Sequence, residues 1–151
     1  MTDVLTPQQR TRCMANIRSK DTKPELVVRG LLRELGIRYR LNVRTLPGKP
    51  DITIGRLKLA IFVHGCFWHR HSCRLGQATP TTNTAFWAAK FETNQRRDRA
   101  ARRTLKLLGW RVLTVWECQT KPKRNTALKA RLRRQLPFAH KKGLSWLRNW
   151  A

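Results

Sequence analysis

Cys66, His69, His71 and Cys73 fall within eight consecutive positions, and Cys118 lies far downstream. Three thiolates and one neutral imidazole make a four-coordinate zinc site of the structural type, because an all-protein shell leaves no open position for substrate. Neighbouring Lys and Arg side chains favour the thiolate form. The spacing allows two ligand sets: Cys66, His71, Cys73 and Cys118, or a purely local set that uses both His69 and His71. The first joins distant segments and so staples more chain, with folding stability then linked to metal. Buried reduced thiols, with histidines in ordinary core hydrogen bonds, are the competing reading. The remaining cysteine, Cys13, completes a set of four in a chain without a visible leader, where thiols or metal ligands are expected in place of disulfides.

Carboxylates are scarce: eight Asp and Glu against 33 Lys and Arg. A nuclease that uses a divalent cation needs a hard oxygen ligand near the scissile phosphate, and Asp51 is the best placed. It follows Pro50, opens a strand, and in a hairpin would face the exit of the neighbouring strand at His64. Backbone carbonyls, waters and the phosphate itself would complete such a site; capping of the preceding turn is the plainer role for Asp51. Glu25 is already explained as the far end of a capping box begun by Thr22. Either His69 or His64 can take a proton from water, since imidazole titrates near neutrality. Glu117, beside Cys118, can solvate a strand end or bond to a zinc ligand from outside.

Phe67 and Trp68 sit among the metal-binding residues, where a metal staple can hold two large rings rigid without burying them. Such rings can wedge between base pairs, most cheaply at a mismatched step. Trp87 reads as core. The net charge of +25 calls for a polyanionic partner, and a nucleic acid outranks an acidic membrane because no long amphipathic stretch stands alone at a terminus. Arg96, Arg97, Arg99, Arg102 and Arg103 suit phosphates. The longest apolar run, Leu57 to Val63, is interrupted by Lys58 and too short to span a membrane, so a cytoplasmic protein is expected.

The elements that must position these groups are readable in outline, and the length fits one domain. Thr22, Pro24 and Glu25 start a helix with apolar positions at Leu26, Val27, Leu31, Leu32 and Leu35, and Gly36 stops it. Ile37, Tyr39 and Leu41 alternate with polar residues as a half-buried strand. Asp51 to Ile54 and Leu57 to Val63 form a hairpin about Gly55-Arg56. Residues 66 to 83 are irregular and end in a Thr/Asn cluster suited to capping a long helix, from about Thr84 to Leu108. That helix places Phe86, Lys90, Asn94 and Arg97 or Asp98 on one approximate face. Trp110 to Trp116 is a second buried strand, giving the order of a sheet with helices on its faces. A basic helix over 124 to 136 and a short apolar tail helix, Phe138 to Trp150, complete the chain.

Long ordered blocks of this sequence resemble one family, the very short patch repair (Vsr) DNA mismatch endonucleases. They include Thr11-Arg12 and Met14, Asp21-Thr22 and Glu25, Leu46-Pro47-Gly48-Lys49-Pro50-Asp51, and Phe62-Val63-His64-Gly65-Cys66-Phe67-Trp68-His69 with His71 and Cys73. Further on they include Phe86-Trp87, Lys90, Asn94, Arg97-Asp98-Arg99 and the run from Gly109 to Cys118. The resemblance implies a restriction-endonuclease-like α/β fold, a mixed central sheet flanked by helices with a structural zinc site. Residues 1–20 would be a DNA-contacting arm and 21–151 the endonuclease domain.

It also implies a nick on the 5′ side of the thymine in a T:G mismatch left by deamination of 5-methylcytosine. Asp51 and the main-chain carbonyl of Val63 would hold catalytic magnesium, His69 would act as general base, and Glu25 and His64 would complete the group. Zinc would fall to Cys66, His71, Cys73 and Cys118. Met14, Phe67 and Trp68 would enter the duplex, with Trp87, Lys90 and Asn94 supporting or contacting the mismatch. Double-stranded DNA carrying the mismatch would be the partner of a monomer, with mismatch-repair proteins as further partners. Two departures stand out: Val63 replaces the Thr of the best-known members, which keeps the carbonyl, and the (Asp/Glu)-x-Lys half of the usual restriction-enzyme motif is missing, as it is in this family. A zinc-stabilised DNA-binding accessory without catalysis is the alternative; it has no use for Asp51, His64 and His69 together.

Overall fold

In the computed structural model, which describes residues 20–136 and Gln8, a four-stranded sheet carries helices on both faces. The expected arm with Met14, Cys13 and the expected tail helix lie outside the described residues. In chain order the elements are α1 (Lys23–Glu34), β1 (Arg40–Leu41), β2 (Ile52–Ile54), β3 (Leu59–His64), α2 (Arg74–Gln77), α3 (Thr84–Leu107), β4 (Arg111–Trp116) and α4 (Asn125–Gln135). A 3-10 turn, Gly55–Leu57, joins β2 to β3, and another, Glu117–Thr120, follows β4.

The sheet order is β1-β2-β3-β4. β1, β2 and β3 pair antiparallel, with Ile52 opposite Ile61, whereas β3 and β4 run parallel with His64 opposite Trp116. A parallel pair needs a crossover, and α3 supplies it. Alternation along β3 divides the core. Leu59 and Ile61 join Val28, Leu31 and Leu32 of α1 and Leu128 and Leu132 of α4 on one face. Ala60 and Phe62 pack with Leu105 of α3 on the other. His64 follows Phe62 in the same phase and so points to the α3 face, at the open end of the strand.

The helix boundaries follow local chemistry. Thr22 caps α1 in extended geometry, Pro24 fits the first turn, and Gly36 ends it at φ +69. The N-cap of α3, Asn83, adopts φ +52 and makes no side-chain capping bond, so the expected Thr/Asn cap serves by conformation alone. The strand expected over residues 37 to 41 shrinks to Arg40–Leu41, which sits exposed at the sheet edge. Gly48, at φ +72, lets the turn before Asp51 lie on α3: a Cβ there would stand 2.5 Å from that of Ala101.

Candidate active site and metal centre

A cleft of about 1140 Å³ opens at the C-terminal end of β3, between the start of α1, the turn before β2 and the middle of α3. Asp51, His64, His69 and Glu25 all line it, as do Arg44, Lys49, Lys90 and Arg97. Asp51 stands just before β2, and its Oδ2 accepts a 2.7 Å hydrogen bond from the Val63 N–H on β3. The antiparallel pairing therefore aims this carboxylate across the hairpin. Burial pushes the Asp51 carboxyl up to about 6, and the negative charge of Glu25 pushes the same way, against the Val63 bond and the His69 imidazole. Among the described residues Asp51 makes no ion pair with Lys or Arg. A desolvated carboxylate with no Lys or Arg paired to it among the described residues has the donor chemistry of a hard-cation ligand.

His69 and His64 lie face to face, ring centroids 3.8 Å apart and planes 9° from parallel. His69 Nδ1 is 2.5 Å from Asp98 Oδ2, and His64 Nδ1 is 3.9 Å from the same oxygen. An imidazole N–H donated to Asp98 fixes the His69 tautomer and leaves Nε2 as the acceptor. Burial, reinforced by His69, pulls His64 down to about 4, so it is neutral near pH 7. The three donor atoms lie close enough to hold an ion. Parallel rings cannot turn both in-plane lone pairs onto one centre, however, and the arrangement is that of one oriented, buttressed base.

Tight turns after β3 separate the two chemistries. The backbone N–H groups of His69 and His71 bond back to the carbonyls of Gly65 and Cys66, and Arg70 between them adopts φ +53. That left-handed residue sends His69 into the cleft and His71 away from it. His71 Nδ1 stands 3.9 Å from Cys66 Sγ and 3.6 Å from Cys118 Sγ, and the donor atoms of Cys66, His71, Cys73 and Cys118 all lie within 4.8 Å of one another. Zinc–sulfur and zinc–nitrogen bond lengths imply tetrahedral edges of about 3.5–3.8 Å, so the cluster has the size of a closed zinc shell. His69 is not part of it.

Around that shell, His71 stacks on Trp116 at 4.4 Å, and Glu117 accepts the Cys66 N–H at 3.2 Å. A Cβ on Gly76 would sit 2.0 Å from the His71 carbonyl oxygen, which makes glycine obligatory there. The Cys73 thiol is drawn down to about 6 by its bond to His71, whereas burial pushes Cys66 up to about 12. Holding all three as thiolates therefore calls for a soft cation, and the donor set fits zinc.

A family model described as DNA mismatch endonuclease Vsr matches residues 2–75. The type II nicking enzyme V.XorIIP of Xanthomonas oryzae pv. oryzae is 47% identical over 133 residues, covering 88% of this chain and 96% of that protein. V.NmeAIP, a type II nicking enzyme of Neisseria meningitidis serogroup A, is 45% identical over 123 residues, 82% of this chain and 87% of its own length. The DNA mismatch endonuclease Vsr of Escherichia coli K12 is 42% identical over 118 residues, 78% and 75%. The chain belongs to the Vsr family.

Of the residues the Vsr resemblance assigns to DNA, Phe67 and Trp68 are half-buried and meet edge to face at 5.2 Å. Trp87 is only 7% exposed; it contacts both rings from beneath, at 5.5 and 5.8 Å. Asn94 donates to the Trp68 carbonyl at 3.0 Å, and Lys90 lines the cleft. Trp68, Lys90 and Asn94 thus border the same cleft as Asp51 and His69, with Phe67 and Trp87 packed against Trp68. Asp98 is the residue that sequence reasoning left without a role. Its signal was the helical spacing Lys90, Asn94, Asp98, one residue per turn along the face of α3 that meets the cleft. No helix among the described residues is long and apolar enough to cross a membrane.

Proposed function

We propose that this chain is a magnesium-dependent endonuclease that nicks one strand of duplex DNA on the 5′ side of the thymine in a T:G mismatch. Membership of the Vsr family supports nicking of mismatched DNA. The observation that carries the chemistry is the meeting, in one cleft lined by charges of both signs, of the half-buried Asp51 carboxylate and a His69 imidazole held by Asp98. Pure binding needs neither. Asp51 and the Val63 carbonyl would hold the magnesium ion, and the ion would supply positive charge for a phosphate undergoing hydrolysis.

His69 takes a proton from the attacking water at Nε2, and Asp98 stabilises the resulting imidazolium through Nδ1–H. The neutral His64 ring keeps His69 in plane, and Glu25 orders the water and phosphate from the side of α1. Arg44, Lys49, Lys90 and Arg97 attract the DNA backbone into the cleft. Phe67 and Trp68, anchored by the zinc shell and by Trp87, enter the stack where a mismatch has weakened it, and Lys90 and Asn94 contact the mismatch edge. Residues 1–20, with Met14, form an arm that contacts the duplex, and residues 21–151 form the endonuclease domain.

The test is a strand-labelled T:G duplex beside its T:A counterpart, incubated with and without magnesium and read for nick position. A nick 5′ of the mismatched thymine, dependent on magnesium and lost in Asp51→Asn, is expected. Tight binding to the T:G duplex with no nick under any divalent cation would leave a zinc-stabilised binding accessory in its place.

A further inference from the structure

The start of α1 contains a buried Arg29–Glu25 ion pair, flanked by the exposed Asp21, that the proposed reaction does not itself account for. Arg29 is 8% exposed and Glu25 3%. The guanidinium forks between two carboxylates: Nη2 donates to Glu25 Oε2 at 3.1 Å and Nη1 to Asp21 Oδ1 at 2.6 Å. Glu25 receives more than this. The Asp21 N–H donates to Oε2 at 3.1 Å and the Thr22 hydroxyl to Oε1 at 2.9 Å. The reciprocal capping bond, Glu25 N–H to Thr22 Oγ1, is long at 3.5 Å. Helix capping is thus the weaker half of this arrangement, and fixing the Glu25 carboxylate the stronger. Asp21 closes over it only by adopting φ +55, a conformation a non-glycine residue takes when its surroundings impose it.

A carboxylate with three donors on a helix start, and with its edge in the cleft near Asp51, can move little. Removing Arg29, its one cationic partner among the described residues, would leave a buried negative charge uncompensated beside a second carboxylate. We infer that Arg29 is a positioning residue for the nicking reaction: it holds Glu25, and through Asp21 the turn above it, in the orientation the cleft uses. This rests on the nuclease reading above. Arg29 does not line the cleft and touches no reacting atom; its influence runs through Glu25.

The experiment is a double-mutant cycle on the full chain, using Arg29→Met, Glu25→Gln and the pair. Single-turnover nicking of a T:G duplex is measured across a magnesium titration, with duplex affinity measured in the absence of divalent cations. Arg29→Met should lower the nicking rate, or raise the magnesium concentration giving half the maximal rate, by about 10- to 100-fold, as is typical when a group orienting a metal-site residue is lost. Duplex affinity should stay within about 2-fold, and in the Glu25→Gln background Arg29→Met should cost little more.

Equal losses in both backgrounds, or losses that track melting temperature, would reduce Arg29 to a helix staple and overturn the inference. Arg29→Lys guards against a folding failure: it keeps the charge but not the fork, and should recover the melting temperature while leaving a rate defect. A full recovery of rate by lysine would also refute positioning by the fork. A wild-type chain that does not nick would fail the function itself, an outcome separate from a nicking wild type whose cycle is additive.

Discussion

Replacing Asp51 by Asn should abolish nicking and at the same time make the protein more stable. The Asp51 carboxyl is raised from 3.8 to about 6, with burial as the main cause and Glu25 next. A raised folded value means that the folded state holds the proton more tightly than the unfolded chain. The stability this group permits is therefore complete below pH 3.8 and is lost as pH rises through 6. Linkage over that interval makes the loss small at pH 4 and about 3 kcal/mol at pH 7.

Asn is nearly isosteric, carries no charge, and still offers an oxygen to the Val63 N–H. It should recover most of that loss, a rise in melting temperature of roughly 10 °C at pH 7 that shrinks toward pH 4. The assay is a pair of thermal melts, wild type and variant, across pH 4 to 7.5 in magnesium-free buffer with zinc left in place. Taking the difference cancels every other titrating group. Millimolar magnesium should then raise the wild-type melting temperature and leave the variant unmoved. If the Asn protein melts at or below wild type at pH 7, or if the margin does not vary with pH, then Asp51 is not a strained carboxylate waiting for a cation.

The Cys66, His71, Cys73 and Cys118 shell should hold one zinc ion per chain in protein purified without added metal. Cys118→Ala should lose it and unfold near room temperature, because binding energies of about 10–16 kcal/mol for such shells rival a domain's whole net stability; metal analysis and circular dichroism check both. Asp98→Asn should slow nicking by about 100-fold or more with unchanged duplex affinity, since an amide can also donate to Nδ1 and so favour the wrong His69 tautomer; single-turnover kinetics decide. Phe67→Ala combined with Trp68→Ala should weaken binding to a T:G duplex by several-fold more than binding to an intact one. Equal losses on the two duplexes, measured by fluorescence anisotropy, would make these rings scaffold.

Legibility in the sequence followed the strength of local signals. The hairpin about Gly55-Arg56 was readable because two apolar runs flank a turn there, although β3 begins at Leu59 and not at Leu57 because Gly55–Leu57 coil into a 3-10 turn; α1 was readable because Thr22, Pro24 and Gly36 punctuate it. The edge strand was overread: Ile37 and Tyr39 have the right period, but they pack against the core from the loop that precedes β1. Spacing left two zinc sets open because nothing in composition shows that Arg70 turns left-handed and parts His69 from His71. Asp98 escaped for a related reason. It stands 29 positions beyond His69, and its role exists only once α3 has crossed the sheet to bring it back. Pairings between distant segments are written in packing, which no local pattern encodes.

The parallel register of β3 and β4 has a consequence for how this fold tolerates change. His64 faces Trp116, so Cys66 and Cys118 leave their strands with the same two-residue offset and meet at one ion site. The metal shell is thereby a gauge of strand alignment. A slip of one residue would invert the face on which His64 points and pull the two thiols apart in the same movement. Insertions in either strand or either spacer should accordingly be lethal to metal retention and hydrolysis together, while the long crossover can gain or lose residues at the turns flanking α3.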